Sequence, residues 1–252
     1  TEFSESINAR QVAKKFNTDH HEILLKPEQF LEKLPAALNS MDHPSGDGPN
    51  TYVVSEATKN AGITMALSGL GGDELFGGYD IFKRAYSLQQ KKWIGNVPQF
   101  ARSLGGKILR KVKPGISSDK IADVLAMEEL SFENFYPKSR EVLNDEISLR
   151  LIGKKSGWIF QDGELIYGSN QFPESTHFLT QVSLAEITTY MQNTLLRDTD
   201  QMSMAHALEV RVPFLDYELV NFVLNVPDAM KYPSSPKKLL VDSLGDLLPD
   251  NI

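Results

Sequence analysis

Cysteine is missing altogether from the 252 residues, which excludes a disulfide framework, thiolate metal ligation and a cysteine nucleophile, and fits a reducing cytoplasm. Long apolar runs are missing too. None approaches the roughly 18 residues that a membrane-spanning helix needs, and the opening "TEFSESINAR" has neither the basic start nor the apolar stretch of a signal peptide. The expectation is a cytoplasmic protein with no membrane partner. An excess of positive charge is likewise absent. At a formal net charge of −7 the chain carries no general surface for nucleic acid, because such surfaces neutralise phosphates with clustered Lys and Arg. Small-molecule partners are expected instead. No internal repeat or low-complexity tract is visible. The remaining composition is ordinary, and the chain is long enough to bury a sizeable core in one large domain or a domain with a helical lobe.

Ile7, Val12 and Phe16 behind Ser4, a candidate N-cap, predict a first helix. "HHEILL", residues 20–25, predicts a short strand, and the apolar spacing from Phe30 to Met41 predicts a helix opened by Pro27. "DHPSGDGPNTY", 42–52, has turn composition, and "TYVVSEATKNAG" reads as a helix ended by Gly62. "ITMALS", 63–68, predicts a strand buried on both faces, as in a parallel sheet. The basic patches "KKW" and "GGKILRKVKPG" read as solvated faces of surface helices. From Leu184 a helical pattern, interrupted by "RDTDQ", is predicted to stop at Pro213, and "YELVNFVLNV" predicts a further helix.

The strand at 63–68 runs into "SGLGGDELFGGYD", with five glycines between Gly69 and Gly78. A strand entering a Gly-rich turn that leaves as a helix aims backbone N–H groups at one spot, which suits a phosphate. Three standard phosphate or nucleophile patterns do not fit. No lysine follows the glycines as in a Walker loop, Glu74 stands where a dinucleotide fingerprint needs glycine, and Ala66 stands where a nucleophile elbow needs it. Asp73 beside a phosphate is repulsive unless a divalent cation intervenes, so magnesium is one reading; the other is that Asp73 caps the helix beginning near Glu74. Gly77 and Gly78 read as the end of that short helix.

"SGLGGDELFGGY" closely resembles the second signature of the asparagine synthetase family, and "DQMSMAHALEVRVPFLD" resembles the family pattern D-x-x-S-M-A-x-x-x-E-x-R-x-P-F-L-D. The resemblance implies a partial synthetase domain over 1–252, of adenine-nucleotide α-hydrolase-like (ATP pyrophosphatase) α/β fold. Residues 1–80 would be its nucleotide-binding part and 81–252 a large, mainly helical part. It implies ATP-dependent amidation of a carboxylate through an acyl-adenylate, with aspartate the default acceptor and glutamine-derived ammonia supplied by a glutaminase domain of the full-length chain. Ser68, Gly69, Gly71 and Gly72 would meet the nucleotide and Asp73 would hold magnesium. Asp200, Glu209, Arg211 and Asp216 match the polar positions of the second signature, and read as an internal ion-pair network fixing the lobe in preference to direct substrate contacts; "VPFLD" reads as architectural. His206 has no metal partner at ligand spacing, and His20 and His21, as neighbours in the predicted strand, would point to opposite faces, so a metal–histidine site is not expected. The resemblance leaves room for a homodimer.

Departures from the family pattern shape the expectation. The glutaminase half, the earlier pyrophosphate loop and a later Lys-x-Gly-Phe segment are not in this sequence, which reads as an internal fragment inactive on its own. Leu70 replaces the acidic residue many asparagine synthetases carry, and leucine can neither accept a proton nor a hydrogen bond. An acceptor other than aspartate, such as a uronic acid of a surface polysaccharide, and a catalytically silent binding module therefore stand as alternatives.

Overall fold

The computed structural model describes residues 5–140, 150–151, 176–231 and 235–249. The architecture is mostly helical with a small parallel sheet, and the chain forms two compact units, Thr1–Gly78 with Glu186–Ile252, and Tyr79–Ala185.

The first unit opens with α1 (Ser6–Phe16), α2 (Pro27–Asn39) and α3 (Gly48–Asn60). Asn17 closes α1 at φ 50°, a left-handed conformation that Asn tolerates better than most residues. The Ser4 cap lies outside the described residues. Pro27 opens α2, where its missing N–H leaves no hydrogen bond unmade. Helix α3 begins inside the stretch predicted as a turn, since Gly48 and Pro49 serve equally well in a first helical turn. Gly62 follows its end at φ 84°.

Strand β1 (Met65–Leu67) is followed by α4 (Gly72–Phe76). The second unit then holds α5 (Asp80–Gln90), α6 (Gln99–Val112), α7 (Ile116–Ala126), α8 (Phe132–Arg140) and all but the last residue of α9 (Phe178–Glu186). The first unit resumes with wide π-type turns over Ile187–Leu195, α10 (Leu196–Met204), β2 (Glu209–Arg211), a 3₁₀ turn (Pro213–Leu215), α11 (Tyr217–Leu224), α12 (Asp228–Lys231) and α13 (Lys238–Leu244).

In the second unit α6 and α7 approach closely at Gly106, where a Cβ would sit 3.0 Å from the Ala122 backbone. Buried Phe132, Phe135, Tyr136, Leu179 and Val182 form its core. Arg110 binds Asp119 and Asp123 of α7 at the surface, and Lys107, Lys111 and Lys113 lie exposed, so the basic run is a solvated helix face.

Three expectations are corrected. Residues 20–25 form no strand: the sheet of the described residues contains only β1 and β2, and an extended run without a hydrogen-bonding neighbour is no strand. The segment is pinned instead by the Arg10 fork on Glu22, 2.6 and 2.7 Å. Its opposite-face reading of His20 and His21 lapses with it. Strand β1 is not buried on both faces; Leu67 is 68% exposed and Met65 41%, because a sheet of two strands offers little cover. The helical stretch that was to run to Pro213 ends at Met204, passes through "RDTDQ" without a break, and yields to β2. Ala207 at φ 51° makes that stop, with the amides of His206 and Leu208 both donating to the Ser203 carbonyl, 3.0 Å each.

Candidate functional site

The two sequence signatures meet through the sheet. Strand β1 pairs in parallel with β2 in the register Met65 to Glu209, Ala66 to Val210 and Leu67 to Arg211. The ladder extends one bond beyond each end: Glu209 N–H donates to Thr64 O, 3.0 Å, and Ser68 N–H donates to Arg211 O, 2.8 Å. The glycine turn therefore starts where the Glu-Val-Arg stretch leaves the sheet.

Within the turn, Gly72 N–H donates to Gly69 O, 3.2 Å, and Leu70 N–H to Ser68 Oγ, 3.3 Å. Gly71 adopts φ 96°, and a Cβ there would lie 2.7 Å from Leu215 Cδ2; only glycine satisfies both conditions. Gly72 is buried, and a Cβ there would lie 3.5 Å from the Phe214 ring. These contacts show what "PFL" does: it is the platform on which the turn sits. Gly69 differs, being exposed with nothing within 4 Å of a would-be Cβ. Among the described residues the N–H groups of Gly69 and Gly71 meet no acceptor. Helix α4 is only 5 residues long, so its macrodipole is slight and donation to a ligand here would rest on individual N–H groups.

Below the turn, buried Leu75, Phe76 and Val223 pack with Phe214, Leu219 and Leu240. Gly77 ends α4 at φ 70°, as the sequence suggested. Asp73 does not cap α4: Gly71 occupies the N-cap and no side chain caps it. Its carboxylate instead accepts from Lys237 Nζ, 2.8 Å, a residue the sequence reading did not select. Gly78 permits the pair, since a Cβ there would fall 1.7 Å from Asp73 Oδ1 and 2.5 Å from Lys237 Cε.

The polar positions of the second signature separate in space. Glu209 and Arg211, two apart on β2, pair with each other at 2.7 Å, both largely exposed. Asp200 is exposed. Asp216 is the N-cap of α11, accepting from Glu218 N and Leu219 N at 3.0 and 3.1 Å. The buried acid is Asp198, 1% exposed. Ser45 Oγ donates to its Oδ2, Gln201 Nε2 donates to Oδ1 at 3.1 Å, and His43 Nε2 lies 3.6 Å away. His43 Nδ1 is 2.8 Å from Asp42 Oδ1, and that bond holds the Asp42 carboxyl below the usual carboxylate range. This cluster ties the loop before α3 to α10. From "RDTDQ" the sequence reading took only Asp200, as a match to the second signature; helical phase within the packed unit instead buries Asp198, which that reading did not select. His206 stacks edge-on against Tyr52, ring centroids 4.2 Å apart.

The sequence profile described as asparagine synthase matches residues 1–252. The chain belongs to the asparagine synthase family. Among its curated relatives, asparagine synthetase [glutamine-hydrolyzing] 1 of Bacillus subtilis (strain 168) is 26% identical over 257 residues, covering 99% of this chain and 39% of the relative. Asparagine synthetase [glutamine-hydrolyzing] 3 of the same organism is 27% identical, covering 94% of this chain and 33% of the relative. Amidase chry2 of Gibberella zeae is 26% identical, covering 90% and 35%. The chain thus spans 39% or less of the length of these relatives. No helix among the described residues is long and apolar enough to cross a membrane.

Proposed function

We propose that the chain is part of the synthetase region of a glutamine-dependent amidotransferase of ATP pyrophosphatase fold, which activates a carboxylate as its acyl-adenylate, releases pyrophosphate and lets ammonia displace AMP. Aspartate is the default acceptor and asparagine the product. The observation that carries this reading is the junction of the two signatures, the Ser68 N–H to Arg211 O bond of 2.8 Å at the end of a parallel β1–β2 pair. It sets a Gly-rich turn, exposed at Gly69, beside the end of β2, and adenylyl transfer needs positioning and charge neutralisation more than covalent help.

Ser68 and Gly69 are assigned to the nucleotide, Gly69 because its open side leaves room for close approach of a phosphate. Gly71 and Gly72 shape the backbone from behind. Asp73 is assigned to magnesium. Asp73 offers a single, partly exposed carboxylate, and magnesium keeps several waters and binds through one or two carboxylates plus substrate phosphates. The ion would supply charge neutralisation on the departing pyrophosphate. Glu209 and Arg211, paired with each other on β2, and Asp200 on α10 are exposed rather than committed to a buried network.

Acceptor identity is the open variable, and Leu70 bears on it. This side chain, half-buried in the turn, offers nothing to an amino-acid acceptor's polar groups, so a different carboxylic acid is the second reading. The relative named an amidase supports keeping the acceptor class wide. The test is pyrophosphate release by the complete protein from Mg-ATP and glutamine, with aspartate compared against a panel of carboxylic acids including uronic acids. Release and asparagine formation with aspartate alone support the first reading, another acid supports the second, and no release with any acid overturns both in favour of a binding module.

A further inference from the structure

Lys237, which neither signature contains, meets the turn on a constrained backbone. Its backbone is left-handed, φ 56°, a conformation a lysine rarely adopts and which persists only when its surroundings enforce it. Enforcement is visible: Lys237 N–H donates to Phe76 O, 3.0 Å, at the end of α4, while its own carbonyl accepts from Val241 N, 2.9 Å, at the start of α13. The strained residue thus joins α13 to α4 and aims its ammonium at Asp73, 2.8 Å from Oδ1. Gly78 has no Cβ in the space the two side chains use. Yet the pair is not sealed in. Lys237 is 41% and Asp73 35% exposed at the side chain, so water and small ions reach it, and the pair costs little to open.

From this geometry we infer that Lys237 is a resident counter-ion for Asp73, which keeps the carboxylate placed and neutralised, and which a divalent cation must displace. The inference rests on the assignment of Asp73 to the metal made above, and extends it to a regulation of that site. A single carboxylate already matched by an ammonium is a poor site for a free divalent ion; one arriving with phosphate ligands brings further binding to offset the displacement. Metal occupancy then follows nucleotide occupancy, and the turn does not load metal alone. Lys237 acts through Asp73 and is a positioning residue.

The experiment is a titration of the complete protein with Mn²⁺ alone, without nucleotide, read by electron paramagnetic resonance of the free ion, with urea unfolding recorded on every variant. Lys237→Met is expected to bind Mn²⁺ about two- to fivefold more tightly than the unsubstituted protein, and Lys237→Arg, which keeps the charge, to bind as weakly as the unsubstituted protein. Adding Asp73→Asn to Lys237→Met is expected to abolish the gain. Equal Mn²⁺ binding by the unsubstituted protein and a folded Lys237→Met would overturn the counter-ion role and leave Lys237 a structural tie between α13 and α4. If Lys237→Met does not fold, a Lys237→Arg that binds Mn²⁺ more tightly than the unsubstituted protein overturns it equally. A gain in Lys237→Met that survives Asp73→Asn would instead sink the metal assignment of Asp73 itself.

Discussion

Gly69 and Gly71 are two residues apart in the same turn, yet opposite in demand. Gly71 combines φ 96° with a neighbour 2.7 Å from any added Cβ, whereas Gly69 has open space on that side. Gly71→Ala should therefore cost about 2–4 kcal/mol of stability, strain and overpacking together, measured by urea unfolding. Gly69→Ala should leave stability within about 0.5 kcal/mol while lowering ATP affinity. A Gly69→Ala protein with unaltered affinity would remove that residue from the nucleotide site. Leu70→Glu tests the acceptor: turnover with aspartate should rise if the missing carboxylate limits its use, and an unchanged acid preference would show that the pocket is tuned elsewhere. Neither glycine's role follows from composition, since both occur in one Gly-rich string and differ only in what packs behind them.

At the scale of elements, the contact of α10 with the loop before α3 turns on one buried carboxyl. Asp198 accepts from Ser45 and Gln201 and faces His43, so Asp198→Ala strands partly buried donors and should destabilise by about 2 kcal/mol. Asp200, two residues on and exposed, should tolerate alanine within about 0.5 kcal/mol in the same urea assay. Equal effects would mean that the cluster does not hold these elements together. Reading "RDTDQ" as a break in the helix rested on its polarity. The run is helical because Asp198 points inward to Ser45 and His43 of another segment with Gln201 bonded beside it, while Arg197 and Asp200 face water. Strand β2 escaped notice for a related reason. Three residues with an exposed, intermediate, exposed pattern carry no periodicity long enough to detect, and only pairing with β1 makes them a strand.

Over the whole molecule, one group sets a distinct pH dependence. Burial pushes the Lys231 ammonium down to about 8 from its ordinary 10.5, against the opposing pull of Asp228. Between those values the unfolded chain binds more protons than the folded one, so this lysine's contribution to stability rises with pH across that window; below about 8 both states are protonated and the full cost of the buried charge remains. The unsubstituted protein should gain stability relative to Lys231→Met as pH is raised from 8 towards 10.5 in urea titrations; a constant difference would show that Lys231 does not titrate early. The sequence by itself determined the local matters: the helices opened by Pro27 and closed by Gly62 and Gly77, the absence of thiol chemistry, and the two signatures with the family they indicate. Those rest on backbone preferences and on strings of neighbouring residues, which one dimension preserves. Only the tertiary structure decided that Asp73 is matched by Lys237, that Asp198 and not Asp200 is the buried acid, that Phe214 and Leu215 support the turn, and that Ser68 is bonded to Arg211. Each of these joins residues far apart along the chain through packing at distances of a few ångströms, and helical phase, strand register and side-chain reach fix such pairs only once the elements are packed together.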